Sequence, residues 1–146
     1  MPICEHFLER RVEFHETDRV GMIHFSNYFK YMDTAVAEFF RSLDLPGPLT
    51  RVWGGTEENE LDWPYVSVSC DFKKPAQFDD LLRIRIWVNK VGNKSMTLEI
   101  SFQKDEEEVA RGRMVIVCSR MSKGQPKSQE IPREIRYRIA PRPPAD

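Results

Sequence analysis

The sequence predicts an α+β fold in which a curved antiparallel β-sheet wraps around one long central α-helix. Two patterns carry that prediction: one helical segment that is apolar around most of its circumference, and five stretches in which apolar residues alternate. An antiparallel sheet with one apolar face must bury that face, and a sheet curved around the single long helix does so economically.

Residues 7–15 place Leu8, Arg10, Val12 and Phe14 on one side and Glu9, Arg11, Glu13 and His15 on the other, as a strand would. Glu16-Thr17-Asp18-Arg19-Val20-Gly21 breaks the alternation and reads as a loop. A helix is then expected from Ser26 or Asn27, either of which can cap it, to Asp44, where Pro46-Gly47-Pro48 stops it. That is about five turns, or about 27 Å. Lys30, Asp33, Thr34, Glu38, Arg41 and Asp44 form its one polar stripe. The remaining surface is more apolar than one curved sheet would cover, which implies a second subunit sharing the burial.

Residues 47–64 are rich in Gly, Pro and acids, carry Trp53 and Trp63, and read as a long irregular connection with some local helix. Four strands follow. Their apolar faces are Val66, Val68, Cys70 and Phe72; Leu82, Ile84, Ile86 and Val88; Met96, Leu98, Ile100 and Phe102; and Ala110, Gly112, Met114, Ile116 and Cys118. Gly92-Asn93 and Asp105-Glu106-Glu107-Glu108 supply turns between them. Beyond Arg120 the chain is basic and proline-rich. The expected organisation is one domain over 1–146, with a core at about 7–120 and a surface tail at 121–146 holding one short helix near Pro132 to Ile139.

Lys plus Arg number 22 and Asp plus Glu 23, so the formal net charge of -1 provides no field for a nucleic-acid backbone or an anionic membrane. Nucleic acid and membrane are therefore set aside as partners. Cys4, Cys70 and Cys118 have neither paired spacing nor neighbouring histidines, so neither a disulfide framework nor a zinc site is expected. No basic leader or long apolar span is seen, and a reducing cytoplasm is the expected location.

Asp18 lies in the loop just ahead of the helix, whose first N–H groups, around Phe25 to Tyr28, lack intrahelical partners. A carboxylate beside free backbone donors at a positive dipole end can combine a nucleophile or base with an oxyanion hole. An Asp that only shapes its own turn is the ordinary alternative.

The stretch from Val12 to Tyr28, with Thr17-Asp18, Gly21, Phe25 and Asn27-Tyr28 in order, resembles the 4-hydroxybenzoyl-CoA thioesterase family. Asp71-Phe72-Lys73-Lys74-Pro75-Ala76-Gln77-Phe78-Asp79-Asp80-Leu81 resembles that family's second block, and Gly92 to Ser95 its Gly-x-x-Ser turn. The likeness spans roughly residues 8–120. It implies a hot-dog fold, assembled as a dimer at least and commonly a tetramer, that hydrolyses an acyl-CoA or aroyl-CoA thioester. Asp18 is then nucleophile or general base, and the Phe25 main-chain N–H is the oxyanion donor. His24 and Tyr28 are candidates for contacts to substrate. Lys94 and Ser95 are candidates for contacts to the coenzyme A moiety, which is part of the substrate, so no separate cofactor and no metal are expected. Arg19 and Val20 replace the smaller residues usual after the Asp. A thioesterase acting on acyl-carrier protein, and a non-catalytic acyl-group binder, are the alternatives on the same fold.

Overall fold

The computed structural model describes residues 5–44 and 61–139. In chain order the elements are β1 (Glu5–Arg11), a 3-10 turn (Phe14–Glu16), α1 (Ser26–Ser42), β2 (Leu61–Asp62), β3 (Tyr65–Phe72), β4 (Leu81–Val91), β5 (Ser95–Lys104), β6 (Glu107–Val117), β7 (Ser119–Ser122), β8 (Gln125–Ser128) and α2 (Arg133–Arg138). The main sheet has the order β1-β4-β5-β6-β3, antiparallel at every step. A smaller antiparallel sheet has the order β2-β7-β8.

The period of the apolar residues explains how α1 meets the sheet. Tyr28, Tyr31, Met32, Ala35, Val36 and Phe39 recur at helical spacing and are buried against Leu82, Ile84, Ile86, Leu98, Ile100, Phe102 and Met114 of the central strands. Each large apolar side chain so buried contributes about 1.5–3 kcal/mol. The closest approach is at Gly112 in β6, where a Cβ would stand 2.7 Å from both Sδ and Cε of Met32. A side chain there would force the end of the buried Met32 side chain to move.

The strands read from the sequence are present, with instructive differences. β1 ends at Arg11, because Val12 donates its N–H to the Asp80 carbonyl and the chain then turns, leaving Phe14 78% exposed rather than aligned with Val12. In β3 the alternation is correct but the burial is not: Val66, Val68 and Phe72 are exposed because β3 is an outer strand. Neither Ser26 nor Asn27 caps α1 through its side chain; Phe25 occupies the cap position. The helix stops where Arg138 of α2 donates to the carbonyl oxygens of Leu43 (3.1 Å) and Asp44 (2.7 Å). Pro46-Gly47-Pro48, Trp53 and Cys4 lie outside the described residues.

The segment read as a surface tail differs most. Residues 119–128 form the β7–β8 hairpin, and Ile131, Ile135 and Ile139 are buried in the main core. The three isoleucines recur every four residues, so proline content masked an amphipathic segment that had apolar surface to bury. Arg85, Arg111 and Trp87 occupy the sheet face away from α1. There both guanidiniums stack on Trp87, Arg85 pairs with Glu5, and Arg111 pairs with Glu99 and Glu108.

Candidate active site

The turn that carries Asp18 is built from backbone bonds that a glycine at position 21 favours. Asp18 donates its N–H to the Met22 carbonyl at 2.7 Å, Gly21 donates back to the Asp18 carbonyl at 3.1 Å, and Gly21 sits at φ 84. That left-handed conformation favours glycine. Residues 21–23 are zipped onto 76–78: Ile23 donates to the Ala76 carbonyl, Phe78 donates to the Gly21 carbonyl, and Met22 bridges to Gln77. The two blocks that carry the family resemblance are thus one piece of structure.

Within this turn Asp18 Oδ1 accepts the N–H groups of Val20 (2.9 Å) and Met22 (3.2 Å). Oδ2 has no hydrogen-bond partner among the described residues. The turn-forming and the reactive readings of Asp18 are therefore compatible, one oxygen being anchored and the other left available.

The helix mouth is held from the opposite side. Asn27 is buried and donates from Nδ2 to the Glu16 carbonyl at 2.7 Å, and the His24 N–H donates to the same oxygen at 2.9 Å. The Glu16 side chain is buried in turn, accepting the Glu13 N–H at 2.8 Å and Arg10 Nη2 at 2.7 Å. Burial alone would raise the Glu16 carboxyl, but the hydrogen bonds from Glu13 and Arg10 outweigh it and hold it below its ordinary value. At the helix start Asn27 donates its N–H to the His24 carbonyl and Tyr28 to the Phe25 carbonyl. The Phe25 N–H has no acceptor among the described residues. It stands at the positive end of a 17-residue helix.

Asp18, Phe25 and Tyr28 line one cleft of about 290 Å³, together with Met22, Ile23, Phe72, Lys73, Lys74, Pro75 and Ala76. Tyr28 is 4% exposed and packs against Phe72 and Phe102, at 5.2 and 5.1 Å between ring centroids. Burial pushes its hydroxyl up to about 12, so it is a neutral, aromatic wall. Lys73 and Lys74 are paired with Glu108 and Glu107.

The other predicted residues fall elsewhere. His24 is exposed, stacks on the Phe25 ring at 4.7 Å, and places Nδ1 2.8 Å from Ser26 Oγ, which shapes the helix start. Lys94 lies in the β4–β5 turn and Ser95 opens β5, at the far end of the strands. β4 alone is 11 residues, roughly 35 Å, so one chain does not bring them to Asp18. That turn is fastened by Arg136, which donates to the carbonyls of Gly92 and Asn93 at 2.8 Å. Sequence reasoning overlooked Glu16 and Asn27 as fasteners. Their signal was weak: a polar residue in a loop and a polar residue at a helix start, each with a partner distant in sequence. No cluster of His, Cys, Asp and Glu that could hold a metal ion occurs among the described residues.

An elongated antiparallel sheet curled around one main helix, with a loop–helix cleft at its end, defines a hot-dog fold. A solved gentisyl-coenzyme A thioesterase superposes with a TM-score of 0.77 at 28% identity, covering 90% of this chain and 99% of that one. The chain belongs to the Thioesterase superfamily, whose family model matches residues 20–111, and it is a thioester hydrolase. It is similar to the 1,4-dihydroxy-2-naphthoyl-CoA hydrolase of Prochlorococcus marinus subsp. pastoris, with 30% identity over 112 residues, 77% of this chain and 74% of that protein. It is also similar to the 4-hydroxybenzoyl-CoA thioesterase of Pseudomonas sp. strain CBS-3, with 30% identity over 90 residues, 60% of each chain.

Proposed function

We propose that this protein hydrolyses the coenzyme A thioester of an aromatic or other acyl acid, with Asp18 as the reacting carboxylate and the Phe25 N–H as oxyanion donor. One observation carries the reading: an anchored carboxylate with a free oxygen and an unpaired helix-mouth N–H line the same cleft. As nucleophile, Asp18 Oδ2 attacks the thioester carbon, the C–S bond breaks, the thiolate leaves, and water opens the resulting mixed anhydride. As general base, Oδ2 takes a proton from the water that attacks the same carbon, and the thiolate again leaves. In both routes negative charge grows on the carbonyl oxygen, and the Phe25 N–H is the donor this reading assigns to it. A lost donor of this kind costs about 2.7–4 kcal/mol.

The aromatic acyl class is supported by the cleft's walls, Tyr28 and Phe72, and by the aryl-CoA substrates in the names of the relatives. Coenzyme A enters as part of the substrate, and this reading calls for neither a separate cofactor nor a metal. His24 belongs to this reading as a contact to substrate beside Phe25, on whose ring it stacks. Lys94 and Ser95 belong to it only as contacts made across a homo-oligomer, a dimer at least and a tetramer in the fuller form, in a cytoplasmic setting. The exposed apolar edge of β3, beside the cleft, supports that assembly.

The test is thiol release from benzoyl, hydroxybenzoyl, naphthoyl and short-to-long fatty acyl-CoA esters, run beside the matching acyl-carrier-protein thioesters. Turnover fastest with an aromatic CoA ester is the expected result. Turnover confined to carrier-protein esters would favour that alternative, and binding without turnover would favour the acyl binder.

A further inference from the structure

The short helix α2 holds two distant parts of the fold together. Ile131, Ile135 and Ile139 are buried in the main core, which anchors the helix on the rest of the chain. From that anchor Arg138 donates to the last carbonyls of α1, those of Leu43 and Asp44. Arg136 reaches a different element. Its Nη2 donates to the carbonyls of both Gly92 and Asn93, at 2.8 Å each, in the turn between β4 and β5.

The effect on the turn follows from peptide geometry. The Asn93 oxygen also accepts the Ile131 N–H at 3.0 Å, the Lys94 oxygen accepts the Cys118 N–H at 2.7 Å, and the Ser95 oxygen accepts the Gly92 N–H at 2.7 Å. All four carbonyls from Gly92 to Ser95 are thus held by donors of this chain. No peptide bond is cis among the described residues, so each N–H points opposite to the C=O of its own peptide group. Drawing the Gly92 and Asn93 oxygens onto Arg136 therefore turns the Asn93 and Lys94 N–H groups away from it. Both residues are exposed, and neither N–H has an acceptor among the described residues. Nor does any carboxylate there pair with Lys94 or Arg136. Successive outward N–H groups favour an anion, and two cations without carboxylate partners strengthen that preference.

We infer that Arg136 is a positioning residue for coenzyme A: from α2 it orients two peptide groups of the β4–β5 turn so that the Asn93 and Lys94 N–H groups meet a phosphate of the substrate. The inference rests on the reading that assigns Lys94 and Ser95 to coenzyme A, and supplies a cause for that turn's preference. Arg136 itself does not touch the substrate. It acts through the backbone of a turn 43 residues earlier in the chain. A guanidinium suits the task, because one nitrogen serves both oxygens and its charge does not depend on pH in the working range.

The test compares the full-length natural protein with Arg136→Gln, Arg136→Lys, Arg138→Gln and Lys94→Gln, each shown to be folded. Calorimetry measures the binding of coenzyme A and of pantetheine, which lacks the phosphates, and steady-state kinetics compare one aromatic acyl group on each carrier. In Arg136→Gln the affinity for coenzyme A should fall and the KM of the CoA ester should rise about tenfold, as for loss of a hydrogen bond to a charged group. Its kcat should change much less, and the pantetheine compounds should not report the change. Arg136→Lys should recover part of the loss. Arg138→Gln loosens the same helix from α1, and should lower stability without moving the KM. Unchanged coenzyme A affinity in Arg136→Gln, or an equal loss in Arg138→Gln or toward pantetheine, would overturn the inference. A loss seen in Lys94→Gln alone would overturn it too, and leave the coenzyme A reading standing. Coenzyme A binding that depends on Arg136 without turnover of any ester would sustain it and remove the proposed hydrolysis, so the two failures are distinguishable.

Discussion

Asn27 and Glu16 are joined by a 2.7 Å hydrogen bond from a buried side-chain amide to a backbone carbonyl, and this bond ties the start of α1 to the strand-end turn. Asn27→Ala deletes the amide and leaves the His24 N–H as the remaining donor to that oxygen. A loss of about 1–3 kcal/mol is expected in urea unfolding. Because the same bond positions the Phe25 N–H, kcat should fall more than KM rises.

Gly112 leaves the space that the end of the Met32 side chain fills. Gly112→Val places branched carbon where Met32 Sδ and Cε already stand, and Met32 is 0% exposed. Overpacking of this kind costs about 1–3 kcal/mol. Thermal unfolding of Gly112→Val alone and combined with Met32→Ala checks it, since the second change should recover part of the loss.

Glu108 gives the protein an acid-sensitive stability. Burial alone would raise its carboxyl, but hydrogen bonds from Lys73, Ser101 and Arg111 outweigh that and hold it down to about 2, against an ordinary value of 4.5. Between those values the unfolded chain binds the proton and the folded chain does not, so stability rises with pH in that window. The contribution is complete above about pH 4.5 and disappears as pH falls toward 2. Urea midpoints from pH 6 to 2.5 should show a shallower dependence in Glu108→Gln than in the natural protein.

The exposed edge of β3 tests the assembly on which Lys94 and Ser95 depend. Val66 is 60% exposed, Val68 38% and Phe72 50%, an unusual apolar row for an open strand edge. Val68→Lys should lower the sedimenting mass and reduce turnover together. An unchanged mass would contradict pairing through β3.

Much of this architecture could be read from local pattern, and the failures have specific causes. The five main strands follow alternation and α1 follows its helical period, because both report which face is buried. What alternation does not report is a strand's place in the sheet, so β3, apolar on one face, was expected to be buried and is instead an exposed edge. The Ile131, Ile135 and Ile139 anchor was hidden by the prolines around it, although its four-residue spacing was visible. Asp18 and the Phe25 N–H could be placed together from a loop preceding a helix. The fasteners Glu16 and Asn27 and the separation of Lys94 from Asp18 depend on contacts between distant residues.

The proposed hydrolysis rests on Asp18, whose Oδ1 is anchored by two backbone N–H groups and whose Oδ2 is available. The most direct measurement is single-turnover thiol release by the natural protein and Asp18→Asn on the best aromatic CoA ester, with both shown to share one unfolding midpoint. The account predicts a fall of at least about a hundredfold in the chemical step, in line with loss of a general base or nucleophile. Equal rates in two equally folded proteins would contradict it.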